Sequence, residues 1–287
     1  MNSLRNRPSV LVFDSGLGGL SVIHALMDAR LGADISHLAD TAFFPYGEKA
    51  DEVLMQRVPA IVAAGVAQTN ADLVIIACNT ASTLALEFVR HTLAVPVVGV
   101  VPAIKPAASM TKTGTIGLLA TPKTVTRPYT DRLIAEFGAG HTIIRHGAIG
   151  LAGAAEEQLA GKTPDPAIFT QAIDGLLSQA GGEAIDIIVL ACTHYPLVQA
   201  ELAAQAPPNM KWVDSGAAIA RRTAHLLADR LDTNAPRLVQ GLTTGGEDLA
   251  TRAVLSRFGF GKLCRVGVQE CDVAPFPEPA LRVKPAT

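Results

Sequence analysis

The 287-residue chain has little cysteine, few aromatic residues and no excess of charge, and each shortage removes a class of protein. Four cysteines in so long a chain build no disulfide framework, and Cys78, Cys192, Cys264 and Cys271 show no C-x-x-C spacing of the kind that holds zinc. Reduced thiols, a cytoplasmic location and no metal are the expectation. Lys and Arg number 24 against 26 Asp and Glu, and a net charge of -2 supplies no basic field to gather nucleic acid or anionic lipid. No apolar run is long enough to span a bilayer, and VLVF at 10–13 meets Asp14 after four apolar residues, too few for a signal-peptide core. What is present is a chain that is 49% hydrophobic, able to bury a core of one large domain or two ordinary ones. Its partner is expected to be a small molecule.

Short Val/Ile/Leu runs alternate with helix-like stretches: SVLVFD at 9–14, an amphipathic segment at 18–31, DISHLA at 34–39. Further strands are expected at 72–77, 96–101, 115–119, 142–146, 186–191, 211–213 and 238–243. This alternation predicts an α/β fold with parallel sheet covered by helices, whose ligand sits at the carboxyl ends of the strands. The segments ADLVIIACNTASTLALE and AIDIIVLACTHYPLVQAE superpose with Asp72 on Asp186 and Cys78 on Cys192, and a further strand follows each about twenty residues later. The chain therefore reads as two pseudo-symmetric parallel-sheet α/β domains, residues 1–101 plus 215–287 and residues 102–214, with the site in the cleft between them.

Each repeated segment runs an apolar strand into Ala-Cys and then into small polar groups. A cysteine at a strand end with a helix starting just after it feels the positive end of that helix, which favours thiolate. Asn79, Thr80 and Ser82 after Cys78, and Thr193 and His194 after Cys192, can cap a helix or face a ligand. A single such cysteine is as readily a small buried hydrophobe; the duplication argues for function. Facing each other across a cleft, Cys78 and Cys192 suit a reaction that needs one base and one acid on opposite faces of a carbon. His194, two residues past a thiol, can tune it or carry its proton.

FDSGLGGLSV at 13–22 invites comparison with a dinucleotide fingerprint, but Ser21 stands where the third glycine is required. A tight turn whose amides and Ser15 hydroxyl meet a smaller polar ligand fits better, with Asp14 free to accept from an ammonium group or act as an auxiliary base. Close helix–strand contact explains the glycines equally well. Tyr46, one of three tyrosines, lies with Gly47 in the loop PYGEK and is either a ligand contact or part of a turn. Thr121 and Thr124 in ATPKT occupy the place in the second unit that DSGLG holds in the first, as anion contacts or as helix caps. Cys264 and Cys271 have no matching context and are read as structural. No lysine is placed for a pyridoxal Schiff base, so no cofactor is expected. A thiol hydrolase built on either cysteine with His194 leaves the other cysteine unexplained, and a small-anion binding protein needs no thiols.

DSGLGGLSV, PYG, ACNTAS and ACTHYPL, in this order over residues 9–220, resemble the glutamate racemases, cofactor-independent enzymes that supply D-glutamate for bacterial peptidoglycan. The resemblance implies Cys78 and Cys192 as the two acid/base thiols, assisted by Asp14 and His194. It implies Ser15, Tyr46, Gly47, Asn79, Thr80, Thr121, Thr124 and Thr193 as substrate contacts, with Asp14 and His194 joining them. THYPL after the second cysteine favours glutamate over aspartate, and Cys192 beside His194 is the expected base for the L-form. RHGAIGLAGAAEEQ at 145–158 departs from the family's pattern, so the resemblance assigns nothing to Glu156 or Glu157. Oligomeric state stays open, a homodimer among the choices.

Overall fold

The structure, a computed structural model, describes residues 7–231, 236–246 and 249–267. Ten strands form two wholly parallel sheets: β1 Ser9–Asp14, β2 Asp34–Ala39, β3 Leu73–Ile76, β4 Val97–Gly99, β5 Thr115–Ala120, β6 Thr142–Gly147, β7 Ile187–Ala191, β8 Lys211–Val213, β9 Arg237–Thr243 and β10 Leu263–Arg265. The first sheet has the order β10-β9-β2-β1-β3-β4 and the second β6-β5-β7-β8. Stripped of β9 and β10, the two follow the same plan, with β1 and β5 central and the Ala-Cys strands β3 and β7 beside them. The repeat read from the sequence is thus a repeat of topology.

All six residues of β1 and all five of β7 are buried, as strands covered on both faces require. Alternation divides β1 between two cores. Val10 and Val12 pack with helix α1 (Leu20–Asp28), whereas Leu11 and Phe13 pack with α2 (Asp51–Thr69) and α3 (Asn79–Thr92). The second sheet is sandwiched in the same way between helices α4 (Ile104–Met110), α5 (Pro122–Val125) and α6 (Pro128–Phe137) on one side, and α7 (Leu151–Leu159) and α8 (Pro166–Leu177) on the other. After β8 the chain returns through a helix at Gly216–Leu226 that lies on α1, and then adds β9 to the edge of β2.

Two expectations need correction. The amphipathic stretch 18–31 is helical only over Leu20–Asp28, because Gly18 and Gly19 belong to the preceding turn and Arg30 takes a left-handed φ of 49° that ends the helix. Strand β10 was not expected at all. It is a three-residue edge strand carrying Cys264, which is half-buried, and Cys271 lies outside the described residues. No helix among the described residues is long and apolar enough to cross a membrane.

Candidate active site

Both Ala-Cys strands end at the boundary between the sheets, and their thiols line one cavity. Ser15, Phe44, Pro45, Tyr46, Gly47, Cys78, Asn79, Thr80, Thr121, Ala152, Cys192, Thr193 and His194 line a narrow space of about 20 Å³, room for little more than a water molecule and below the usual size of small-molecule pockets. Cys78 reaches it from the first sheet and Cys192 from the second. Asp14 and Thr124, also nominated by the sequence, stand behind this wall. Asp14 is fully buried; its Oδ1 accepts from the Thr193 hydroxyl at 2.9 Å and its Oδ2 from the Gly16 amide at 3.0 Å. Thr124 shares a hydrogen bond of 2.9 Å with the Thr121 hydroxyl, and Thr121 in turn caps α5 by accepting from the Thr124 amide.

The surroundings of Cys78 reverse one expectation. Burial and the negative charge of Asp14 push its thiol up to about 12, against the weaker pull of the Ala81 amide and the Ser15 hydroxyl, whose oxygen lies 3.6 Å from the sulfur. The helix end is present, since Cys78 is the N-cap of α3, but it does not prevail over desolvation in a closed site. The predicted caps are absent as well: no side chain caps α3, and Ser82 faces Gly99 instead of the cavity. After Cys192 comes a 3-10 turn, Tyr195–Val198, with the next α-helix, α9, starting only at Gln199. Tyr195 fixes that turn by donating to the carbonyls of Ala120 and Ala148 at the ends of β5 and β6.

His194 is buried, with Nδ1 3.9 Å from the Cys192 sulfur and Nε2 2.9 Å from Glu156 Oε1. Burial opposes its positive charge, but the hydrogen bonds of Cys192 and Glu156 prevail and hold its pKa well above that of a free imidazole. Glu156 answers in the opposite sense: burial raises it, and the hydrogen bond to His194 carries it below the ordinary carboxylate value. The charged ring donates from Nε2 to Glu156, so the Gly18 amide 3.2 Å from that nitrogen is a close neighbour and not its donor. Glu156 also accepts from the Leu17 amide at 2.6 Å, which ties the second sheet's helix α7 to the glycine turn of the first. Sequence reasoning left this residue without a role. Phe44 covers the other side of the imidazole, with ring centroids 5.4 Å apart.

The glycine turn serves this contact. A Cβ at Gly18 would stand 2.4 Å from His194 Nδ1 and 2.5 Å from Thr193 Oγ1. Gly18→Ala is therefore expected to displace both side chains and lower kcat/KM by about 100-fold, in protein that still melts cooperatively. A variant within threefold of the parent would show that the close approach is not needed. No phosphate enters the account: Asp40, which stands where a ribose-binding acid would, instead holds Tyr46, Arg57 and Thr244 through bonds of 2.5 to 2.7 Å. The Tyr46 hydroxyl thus points away from the cavity, and the loop lines it through the rest of the residue and through Gly47. Asn79 behaves differently. Its Oδ1 is buried with no partner among the described residues, an acceptor awaiting a donor.

The family profile Asp/Glu/Hydantoin racemase matches residues 20–223. A glutamate racemase of Sphingopyxis alaskensis is 50% identical over 217 residues, covering 76% of this chain and 81% of that protein. A glutamate racemase of Sodalis glossinidius is 41% identical over 265 residues, covering 90% and 91%. Among solved structures, the Escherichia coli glutamate racemase in complex with L-glutamate and the activator UDP-MurNAc-Ala superposes with a TM-score of 0.83 at 40% identity, over 92% of this chain and 99% of that one. With two matching sheets, two buried thiols at their meeting point and these relatives, the chain belongs to the Asp/Glu/hydantoin racemase family, on its glutamate racemase branch.

Proposed function

We propose that the protein interconverts L- and D-glutamate by transferring protons between the α-carbon and two thiols, Cys192 and Cys78, with no cofactor. The observation that carries this reading is the placement of both sulfurs in one cavity, one from each sheet. In this reading the substrate lies between a unit of residues 1–101 plus 215–287 and a unit of residues 102–214.

Starting from L-glutamate, the Cys192 thiolate takes the α-proton and the Cys78 thiol delivers its own to the opposite face, leaving a Cys192 thiol and a Cys78 thiolate. The assignment follows from the surroundings. His194 Nδ1 lies 3.9 Å from the Cys192 sulfur, where it can take or return a proton, and the environment that pushes Cys78 up keeps that thiol protonated and ready to donate. The reverse reaction needs Cys78 as base, and the substrate supplies the means: its ammonium group, brought into the cavity beside Cys78, offsets the negative charge of Asp14 behind the wall, which opposes a Cys78 thiolate. Ser15, Asn79, Thr80, Thr121 and Thr193 bind the carboxylates and steady the charge that develops as the proton leaves. Aspartate, with its shorter side chain, would leave some of these polar groups unpaired. Through this product the enzyme supplies D-glutamate to peptidoglycan synthesis in the cytoplasm.

The test uses purified protein with no additions, L-glutamate and D2O. Racemisation with deuterium appearing at the α-carbon, by NMR and chiral chromatography, is expected, with aspartate turned over far more slowly. Unchanged L-glutamate retaining its hydrogen, or aspartate at parity, overturns the reading.

A further inference from the structure

The cavity that holds the thiols is narrow, and two seams of contacts between the sheets border it. The first is largely buried: Thr193 on Asp14, Glu156 on the Leu17 amide, His194 against Gly18. The second lies on the far side of the cavity, where the 3-10 turn Tyr46–Glu48 meets α5. There a Cβ on Gly47 would just touch Thr121, at 3.5 Å, the Thr80 and Thr121 hydroxyls lie 3.4 Å apart, and the chain after Gly47 runs directly to Asp51 at the start of α2. Asp51 gathers two cations from the opposite sheet. Arg127 grips both of its carboxylate oxygens, at 2.6 and 2.9 Å, and Lys123 reaches one of them at 3.1 Å while also donating to the Lys49 carbonyl.

The two seams differ in how easily they part. In the first, Asp14, Thr193 and His194 are buried and only Glu156 is partly open, at 22%, whereas in the second the side chain of Asp51 is 36% exposed and that of Lys123 33%, with Arg127 at 11%. A partly exposed ion pair is weakened by salt, even where a bidentate arginine makes it better than most. Arg127 holds the Asp51 carboxyl down to about 2, so it is charged at every pH at which the protein would work. Lys123 lies two residues from Thr121 and follows Pro122 at the first turn of α5. A pull on Asp51 is thereby a pull on the wall of the cavity.

We propose that Asp51 is a positioning residue for the racemase reaction: through Arg127 and Lys123 it latches the Tyr46–Gly47 turn to the Thr121 turn, and the glutamate site opens for entry and release by parting this seam. The latch rests on the proposed function only for the identity of the substrate. Its action is on the population of the closed state, so weakening it raises the apparent dissociation constant without altering proton transfer in the closed complex.

The experiment compares the full-length protein with Asp51→Asn and Arg127→Gln at 0.05 and 0.5 M NaCl. Asp51→Asn keeps a polar residue at a helix start, so folding is expected to survive. At low salt each variant should raise KM three- to tenfold for both enantiomers, with the solvent-deuterium incorporation per turnover unchanged. High salt should raise the parent's KM by a similar factor and leave the variants unmoved. Asp51→Asn combined with Arg127→Gln should be no worse than either alone, because both break one contact. A readout without turnover runs beside it: backbone hydrogen exchange over residues 46–51 and 121–127 should speed up in the variants while that of β1 and β7 does not change. Should the parent fail to racemise glutamate, the proposed function fails and hydrogen exchange alone decides the latch. An unchanged exchange rate, or a KM equally salt-sensitive in parent and variants, overturns it.

Discussion

Replacing either Cys78 or Cys192 by serine is expected to lower racemisation in both directions by about 10⁴-fold, in protein that binds glutamate and melts like the parent. Each direction consumes one base and one acid, and a hydroxyl is a far weaker acid than a thiol of ordinary pKa near 8.5. The loss is symmetric, but its cause is not. In Cys78→Ser the base for the L-form remains and the proton donor is missing; in Cys192→Ser the reverse holds. A glutamate analogue with a leaving group on the β-carbon separates the two, since elimination needs only the base. Cys78→Ser should then eliminate from the L-analogue alone and Cys192→Ser from the D-analogue alone. A cysteine whose loss leaves both directions intact takes no part in the mechanism.

The second large effect is on stability in acid. His37, in the middle of β2, is fully buried with its ring against Phe260, 6.4 Å between centroids, and neither ring nitrogen has a hydrogen-bond partner among the described residues. Burial pulls its pKa down to about 4, assisted by the charge of His194 and opposed by that of Glu156. The unfolded chain takes up this proton near 6.5 and the folded one only near 4. As the pH falls through that window the unfolded state binds the extra proton, so stability is full above 6.5 and is lost progressively towards 4. The gap is worth about 3 kcal/mol. Asp14, whose pKa burial raises, works in the opposite sense at the acid end, so the informative quantity is a difference between proteins. Urea unfolding of the parent and of His37→Leu at pH 7 and pH 4.5 should show the parent losing 2 to 3 kcal/mol more than the variant (about 1.4 kcal/mol for each pH unit of the window). Parallel losses would place the acid sensitivity elsewhere.

Legibility in the sequence followed the range of the interactions. Nine strands could be read because most are apolar runs that both faces of a covered sheet demand, and the repeat could be read because ACNTAS and ACTHYP stand at matching strand ends. Strand β10 escaped because it is three residues long at an edge, with only Leu263 buried, and leaves no run to detect. Glu156 escaped for another reason. It lies 38 residues from His194 and 139 from Leu17, and only the packing of α7 over the Tyr195–Val198 turn brings it to either. The direction of the Cys78 shift was misread because a helix end is visible in sequence, whereas the burial that outweighs it is a property of the closed site. His37 looked like an ordinary polar residue on a strand, and nothing in DISHLA distinguishes it from Ser36, whose hydroxyl is equally buried.

The order β10-β9-β2-β1-β3-β4 has a consequence for how the chain is made. The second sheet is contiguous, from Thr115 to Val213, and can assemble as soon as those residues leave the ribosome. The first sheet cannot. The strands beyond β2 are β9 and β10, so until residue 243 has been synthesised the flank of β2 presents the unpaired backbone of a nearly all-buried strand, the kind of edge that recruits other chains. On a ribosome adding some 5–20 residues per second, roughly the two hundred residues between β2 and β9 keep that edge waiting for about ten seconds or more. Asp34–Ala39 is thus expected to be the segment of the nascent chain most open to foreign strands for most of its synthesis, which crosslinking of stalled nascent chains from that strand would detect.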